Sequence, residues 1–226
     1  MQLFIDETNN NKIYLDHDQT CFIEFHTLPT TLVQYGMHHF QDLFDLHPTK
    51  RHSVINWEHE KEVSRWQQSY LNTPNVDLER IKHHSYMYSG FDTSSNNKKL
   101  DELFVPFYEH MHELDAKYNQ ISVNWYANNN DYIAMHQDCD YNMIENYKIA
   151  ILSIYENPKD VRTMKIKTRN TNFNLIYTDI RIQMHPELVV VFGGEFQKHY
   201  IHGIPKSTDT KGPRISMSLR QMKASE

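Results

Sequence analysis

Cysteine is nearly absent. The 226-residue chain has two, Cys21 and Cys139, too few and too far apart to frame a disulfide-stapled secreted module. Glycine is scarce as well, with 6 residues against 14 tyrosines and 15 histidines. That skew, with the runs Asn9–Asn11 and Asn128–Asn130, fits an AT-rich coding sequence and carries no chemical information. No apolar run approaches the roughly 20 residues of a membrane span. The opening Met1-Gln2-Leu3-Phe4-Ile5-Asp6 lacks the pattern of a secretory signal. Positive charge is not in excess either: 23 Lys and Arg against 29 Asp and Glu leave a formal charge of −6. Nucleic-acid binding by bulk charge is therefore excluded, and any such role has to come from a local patch or a pocket. These absences predict a soluble protein of a reducing, intracellular compartment.

What is present is ordinary globular composition, 39% hydrophobic and 23% charged, on a chain long enough to bury its own core. The expectation is one domain over 1–226, divided into an N-terminal α/β cover (1–97) and a packing helix with a β core (98–226). Leu32, Tyr35, His39, Phe40, Leu43 and Phe44 recur at helical spacing. Thr30 or Thr31 is placed to cap that helix, and Pro48 lies past its end. A second helix is predicted from Pro106, whose missing N–H is harmless in a first turn, to about Asn119. Beyond Gln120 the texture changes to short alternating runs. Ser122–Tyr126, Ile149–Tyr155, Thr163–Thr168, Phe173–Thr178, Leu188–Phe192 and Arg214–Leu219 read as strands at the spacing of a barrel or sandwich. Ser94–Lys99 reads as a flexible loop.

Chemistry concentrates in the β part. In an extended segment His136 and Asp138 point to one side, and a second histidine comes from His199-Tyr200-Ile201-His202. Two histidines and a carboxylate with open coordination positions are the pattern of a non-heme Fe(II) oxygenase. A lone H-x-D occurs often by chance. The last strand adds weight, because alternation puts Ile215, Met217 and Leu219 on one face and Arg214, Ser216, Ser218 and Arg220 on the other. Two arginines turned into a closed barrel need anions to pair with, and a dicarboxylate suits the guanidinium fork.

Asn124-Trp125-Tyr126, His136-Gln137-Asp138-Cys139-Asp140, His202-Gly203-Ile204-Pro205 and Arg214…Arg220-Gln221 together resemble the AlkB family of Fe(II)- and 2-oxoglutarate-dependent dioxygenases, over roughly Tyr86 to Gln221. The resemblance implies an α+β fold with a mainly β core, the double-stranded β-helix or jelly roll, under an N-terminal cover and nucleotide-recognition lid. It implies Fe(II), 2-oxoglutarate and O2 as cofactors, with His136, Asp138 and His202 as metal ligands and His199 as the rival to His202. Asn124, Tyr126, Arg214, Ser216 and Arg220 would bind 2-oxoglutarate, Arg214 at the distal carboxylate and Arg220 near the metal-bound end. Ser216 stands where the family usually has Asn.

The resemblance also implies a substrate. Arg65 and Tyr70, in Ser64–Tyr70, and Tyr86 and Tyr88, in Ser85–Gly90, match the lid. Asp140 matches an acidic position that reads an extruded base, and stacked aromatics would hold that base. Arg162 opens a basic stretch with Lys165, Lys167 and Arg169 that either tracks phosphates or is a solvated strand face. The implied activity is oxidative demethylation of alkylated bases, as in DNA or RNA alkylation repair, by a monomer acting on methylated single-stranded or duplex nucleic acid away from any membrane. The same chemistry on a protein, lipid or small molecule is the alternative.

Overall fold

The computed structural model describes every residue except 6–10, 57–58, 72–86, 89–90, 93–97, 170–173 and 224–226. The chain opens with β1 (Gln2–Ile5), β2 (Lys12–Tyr14) and β3 (Cys21–Thr27), followed by helices α1 (Thr30–His38) and α2 (Phe40–Asp45). Short strands follow: β4 (Ser53–Asn56), β5 (His59–Glu62), β6 (Trp66–Leu71), β7 (Met87–Tyr88), β8 (Phe91–Asp92) and β9 (Lys98–Lys99). After helix α3 (Val105–Leu114) come β10 (Gln120–Tyr126), β11 (Ile133–His136), β12 (Lys148–Tyr155), β13 (Thr163–Thr168), β14 (Asp179–Gln183) and β15 (Leu188–Gly194). A single turn, α4 (Phe196–His199), leads into β16 (Tyr200–Ile204), and β17 (Arg214–Arg220) ends the fold.

These strands build a major sheet in the order β2-β3-β15-β12-β17-β10-β6-β9 and a minor sheet in the order β1-β14-β13-β16-β11. This is the jelly-roll architecture, mostly β with few helices. Alternation on β17 organises it. Ile215, Met217 and Leu219 join Trp125 and Ile154 in a core closed by Leu32, Phe40, Phe107 and Met111 of the helices. The indole N–H of Trp125 donates to the Leu43 carbonyl at 2.9 Å, which fixes the helical layer to the sheet. On the inner face, Ile149, Ile151, Val190 and Phe192 of the major sheet pack against Met164, Ile166, Ile180 and Ile182 of the minor sheet. Burial of large aliphatic side chains at about 1.5–3 kcal/mol each makes the two cores the main source of stability. The polar remainder of the inner face is left around a cavity.

Several boundaries differ from the sequence expectations. The first helix is two, broken at His39, and Pro29 rather than a threonine side chain sits at the start of α1. α3 stops at Leu114, and Tyr118, 2% exposed, is buried beyond its end. The strand expected at Phe173–Thr178 lies at Asp179–Gln183 instead. Residues 171–173 lie outside the described residues, and Leu175 makes only an isolated bridge with Asp16. Lys98 and Lys99, expected in a flexible loop, pair with Tyr70 and Leu71 as β9. The N-terminal part extends the core as well as covering it. β3 pairs along its whole length with β15, and β1 runs parallel to β14.

Candidate active site

Strand register places the site. Across β6, β10, β17 and β12 the residues Gln67, Asn124, Ser216 and Ser153 stand side by side, and one pleat away Tyr126, Arg214 and Tyr155 do the same. Most of these face a cavity of about 40 Å³ that the minor sheet closes with Ile133, His136, Met164, His202 and Ile204. Opposite registers on β11 and β16 put His136 directly across from His202.

His136, Asp138 and His202 present one ligand atom each within 4.8 Å of one another. Two of the three, His136 and Asp138, are oriented from behind. The His136 Nδ1 lies 2.9 Å from the Ala134 carbonyl oxygen. A carbonyl can only accept, so that nitrogen carries the proton and Nε2 is left as the ligand. Arg220 donates to Oδ1 of Asp138 at 2.6 Å, while Gln197 accepts from the Asp138 backbone N–H at 2.9 Å and donates to Oδ2 at 3.4 Å. The Oδ2 atom, 3.5 Å from His202 Nε2, faces the triad centre. Burial, reinforced by the neighbouring His136, holds the His202 imidazole down to about 3, and burial lowers His136 too. Both rings are therefore neutral at ordinary pH, the form that ligates a metal. His199 is not part of the cluster; it ends α4 and pairs with Glu195 at 3.3 Å.

The Arg214 side chain is 1% exposed. Its guanidinium lies 5.0 Å from the Tyr126 ring and 5.9 Å from that of Tyr155. Nε and Nη2 share the Ser153 hydroxyl at 3.2 and 2.9 Å, and Nη1 is buried without a hydrogen-bond partner. A buried cation with an unused donor is costly unless an anion completes it. Arg214 therefore fits a co-substrate carboxylate, and the triad fits Fe(II). When bound there, the iron supplies activation of O2 and a template for the co-substrate. The Asn124 Oδ1 accepts from Arg65 at 2.8 Å, and the Ser216 hydroxyl donates to the Leu152 carbonyl at 3.3 Å.

Residues 32–220 match the model of the 2OG-Fe(II) oxygenase superfamily. The chain belongs to this superfamily. It is a Fe(II)- and 2-oxoglutarate-dependent dioxygenase that uses O2. The match stands one level above the AlkB family that the motifs resemble. Among solved structures, a prolyl-4-hydroxylase from Pseudomonas putida is similar at a TM-score of 0.49 and 12% identity, over 89% of this chain and 92% of that one. A 2OG-Fe(II) oxygenase family oxidoreductase from Burkholderia pseudomallei gives 0.44 and 13%, over 87% and 84%. No curated protein matches the sequence. Among the described residues, no helix of this dioxygenase is long and apolar enough to cross a membrane.

Most of the expected substrate-binding residues are committed elsewhere or lie outside the described residues. Tyr70 is buried in the helix-side core with its ring 6.0 Å from Phe104, so it cannot stack on a base. Arg65 belongs to the cavity wall, bonded to Asn124 and, at 3.3 Å, to Gln67. Arg162 is buried and spends its guanidinium on the carbonyls of Asn128, Asp131 and Pro205, so it acts as a clamp between loops. Tyr86 lies outside the described residues, and of Tyr88 only its place in β7 is described. Arg220, expected near 2-oxoglutarate, lines the cavity but is held on Asp138, Gln120 and Ser122.

Sequence reasoning missed Gln197. Its amide grips both the backbone and the carboxylate of Asp138 from α4, so it positions a ligand without touching the ion. Gln197→Leu should weaken Fe(II) binding by about ten- to a hundredfold, the usual cost of losing a ligand's orienting partner. An Fe(II) titration beside a melting curve checks this. The melting temperature should move far less than the affinity, and an unchanged affinity would remove Gln197 from the site.

Proposed function

We propose that this dioxygenase demethylates alkylated bases in nucleic acid. One oxygen atom of O2 enters 2-oxoglutarate, which leaves as succinate and CO2. The other converts the substrate N–CH3 to N–CH2OH, and that hemiaminal splits into formaldehyde and the N–H base. In this reading His136, Asp138 and His202 hold Fe(II). Arg214, stacked by Tyr126, grips the distal carboxylate of 2-oxoglutarate, while Asn124 and Ser216 line its path.

The observation that carries the substrate assignment is Asp140. Its half-buried carboxylate stands two residues beyond Asp138 and is held by the Tyr147 hydroxyl at 3.1 Å. Burial, together with that carboxylate and its hydrogen bond, raises the Tyr147 phenol well above its ordinary range, so it stays a donor. An ionised carboxylate only accepts, and a base methylated on its pairing edge still offers an exocyclic amino group. Such a base pairs poorly and is cheaper to extract than a normal one. Asp140→Ala should lower demethylation of a 1-methyladenine or 3-methylcytosine oligonucleotide by about ten- to a hundredfold, as expected for one charged hydrogen bond of about 1.5–3 kcal/mol. Substrate-free consumption of 2-oxoglutarate should change little. Mass spectrometry of the oligonucleotide beside a succinate assay checks this, and equal losses in both assays would contradict the role given to Asp140.

A further inference from the structure

The outer face of the minor sheet carries a second concavity, a groove of about 620 Å³ unconnected with the residues assigned above to iron or 2-oxoglutarate. Lys159, Lys165, Arg181, Lys206 and Lys211 line it, and Asp209 is the one carboxylate among its lining residues. That concentration of positive charge stands out on a chain of formal charge −6. Part of it is forced by register. Ile180 and Ile182 of β14 and Met164 and Ile166 of β13 point into the core, so Arg181 and Lys165 point out, directly opposite one another. Like charges facing each other across strands destabilise a sheet unless an anion lies between them. The Arg181 Nε is 3.7 Å from Asp179, but a half-exposed pair of this kind contributes little.

On the far side of Arg181, Phe4 is its direct partner on β1 and is 56% exposed. An aromatic side chain left open beside a row of cations suits alternating base and phosphate better than it suits an acidic peptide. The groove also has a fixed relation to the iron site. Ile204 lines the cavity, and Pro205, the next residue, lines the groove. Arg162 clamps that junction by donating to the carbonyls of Pro205 and Asp131 at 2.7 and 2.9 Å.

We infer that this groove docks the phosphodiester backbone of a single strand of nucleic acid, holding nucleotides that flank the one entering the cavity. Its biological sense rests on the substrate reading above, but binding itself does not require turnover.

The test is fluorescence anisotropy with a labelled, unmethylated oligo-dT of about 15 nucleotides, a length on the scale of one single-strand binding site, across a salt series. Wild-type protein should bind with affinity that falls steeply as salt rises. The sheet variant Lys165→Glu/Arg181→Glu should bind at least about tenfold more weakly, with the log–log salt slope reduced by about 1.4, or about 0.7 for each phosphate no longer neutralised. The loop variant Lys206→Glu/Lys211→Glu, which leaves the sheet untouched, should show the same direction and carries the test if the sheet variant does not melt cooperatively. Undiminished oligo-dT binding in folded variants overturns the proposal, as does tighter binding of polyglutamate than of oligo-dT to the wild type. Demethylation of a methylated trinucleotide is measured alongside. If the trinucleotide is demethylated but the variants bind oligo-dT normally, the groove fails and the substrate reading stands. If the groove binds oligo-dT but no methylated strand is turned over, the groove stands and the substrate reading fails.

Discussion

His136→Ala should abolish iron binding and succinate formation together. His136 and His202 sit directly across from each other on β11 and β16, and Asp138 completes a set of ligand atoms within 4.8 Å. Removing one of three ligands is more severe than removing an orienting partner, so a loss above about a hundredfold in Fe(II) affinity and turnover is expected. The fold should survive, because His136 contributes to neither hydrophobic core. Anaerobic Fe(II) titration with a succinate assay measures both effects on one sample. A variant that bound iron and turned over normally would move the metal site elsewhere.

Arg214→Lys should raise the KM for 2-oxoglutarate at least about tenfold while retaining the positive charge. The native guanidinium is clasped by the Ser153 hydroxyl and flanked by the Tyr126 and Tyr155 rings, and its buried Nη1 is left for the incoming carboxylate. An ammonium cannot hold Ser153 and a carboxylate in the same planar fork. One charged hydrogen bond lost at about 1.5–3 kcal/mol corresponds to roughly ten- to 150-fold. The effect should appear in KM more than in kcat, because the distal carboxylate is bound alike before and during reaction. Initial rates against 2-oxoglutarate concentration, at saturating iron, decide it. An unchanged KM would show that Arg214 does not touch the co-substrate.

The inner half of the site was legible in the sequence because period-two alternation is a strong local signal. Arg214, Ser216, Ser218 and Arg220 had to share a face, and with Ile215, Met217 and Leu219 buried opposite, that face had to be the polar one. The H-x-D spacing likewise required only extended backbone. What could not be read depends on contacts between distant segments. Gln197 acts on Asp138 from a four-residue helical turn 59 positions away. Arg162 looked like the head of a basic stretch, yet its partners are loop carbonyls that only the folded chain brings near it. Tyr70 shows the converse limit. An aromatic residue type does not reveal which face of a strand carries it, and on β6 that face is the core. β14 was displaced because Phe173–Thr178 is the more apolar run, while the true strand shows water an Asp, an Arg and a Gln and hides only Ile180 and Ile182.

Which substrate the iron site serves is decided by turnover of methylated strands. The most direct measurement incubates the protein with Fe(II), 2-oxoglutarate and O2 and a panel of oligonucleotides, single- and double-stranded, carrying 1-methyladenine or 3-methylcytosine, with formaldehyde, succinate and oligonucleotide mass followed together. Formaldehyde and succinate should appear in equal amounts, with loss of one CH2 (the difference between N–CH3 and N–H) from the mass of at least one methylated strand and none from its unmethylated counterpart. Steady succinate formation with every methylated strand left intact would contradict the demethylase reading and point to a substrate outside nucleic acid.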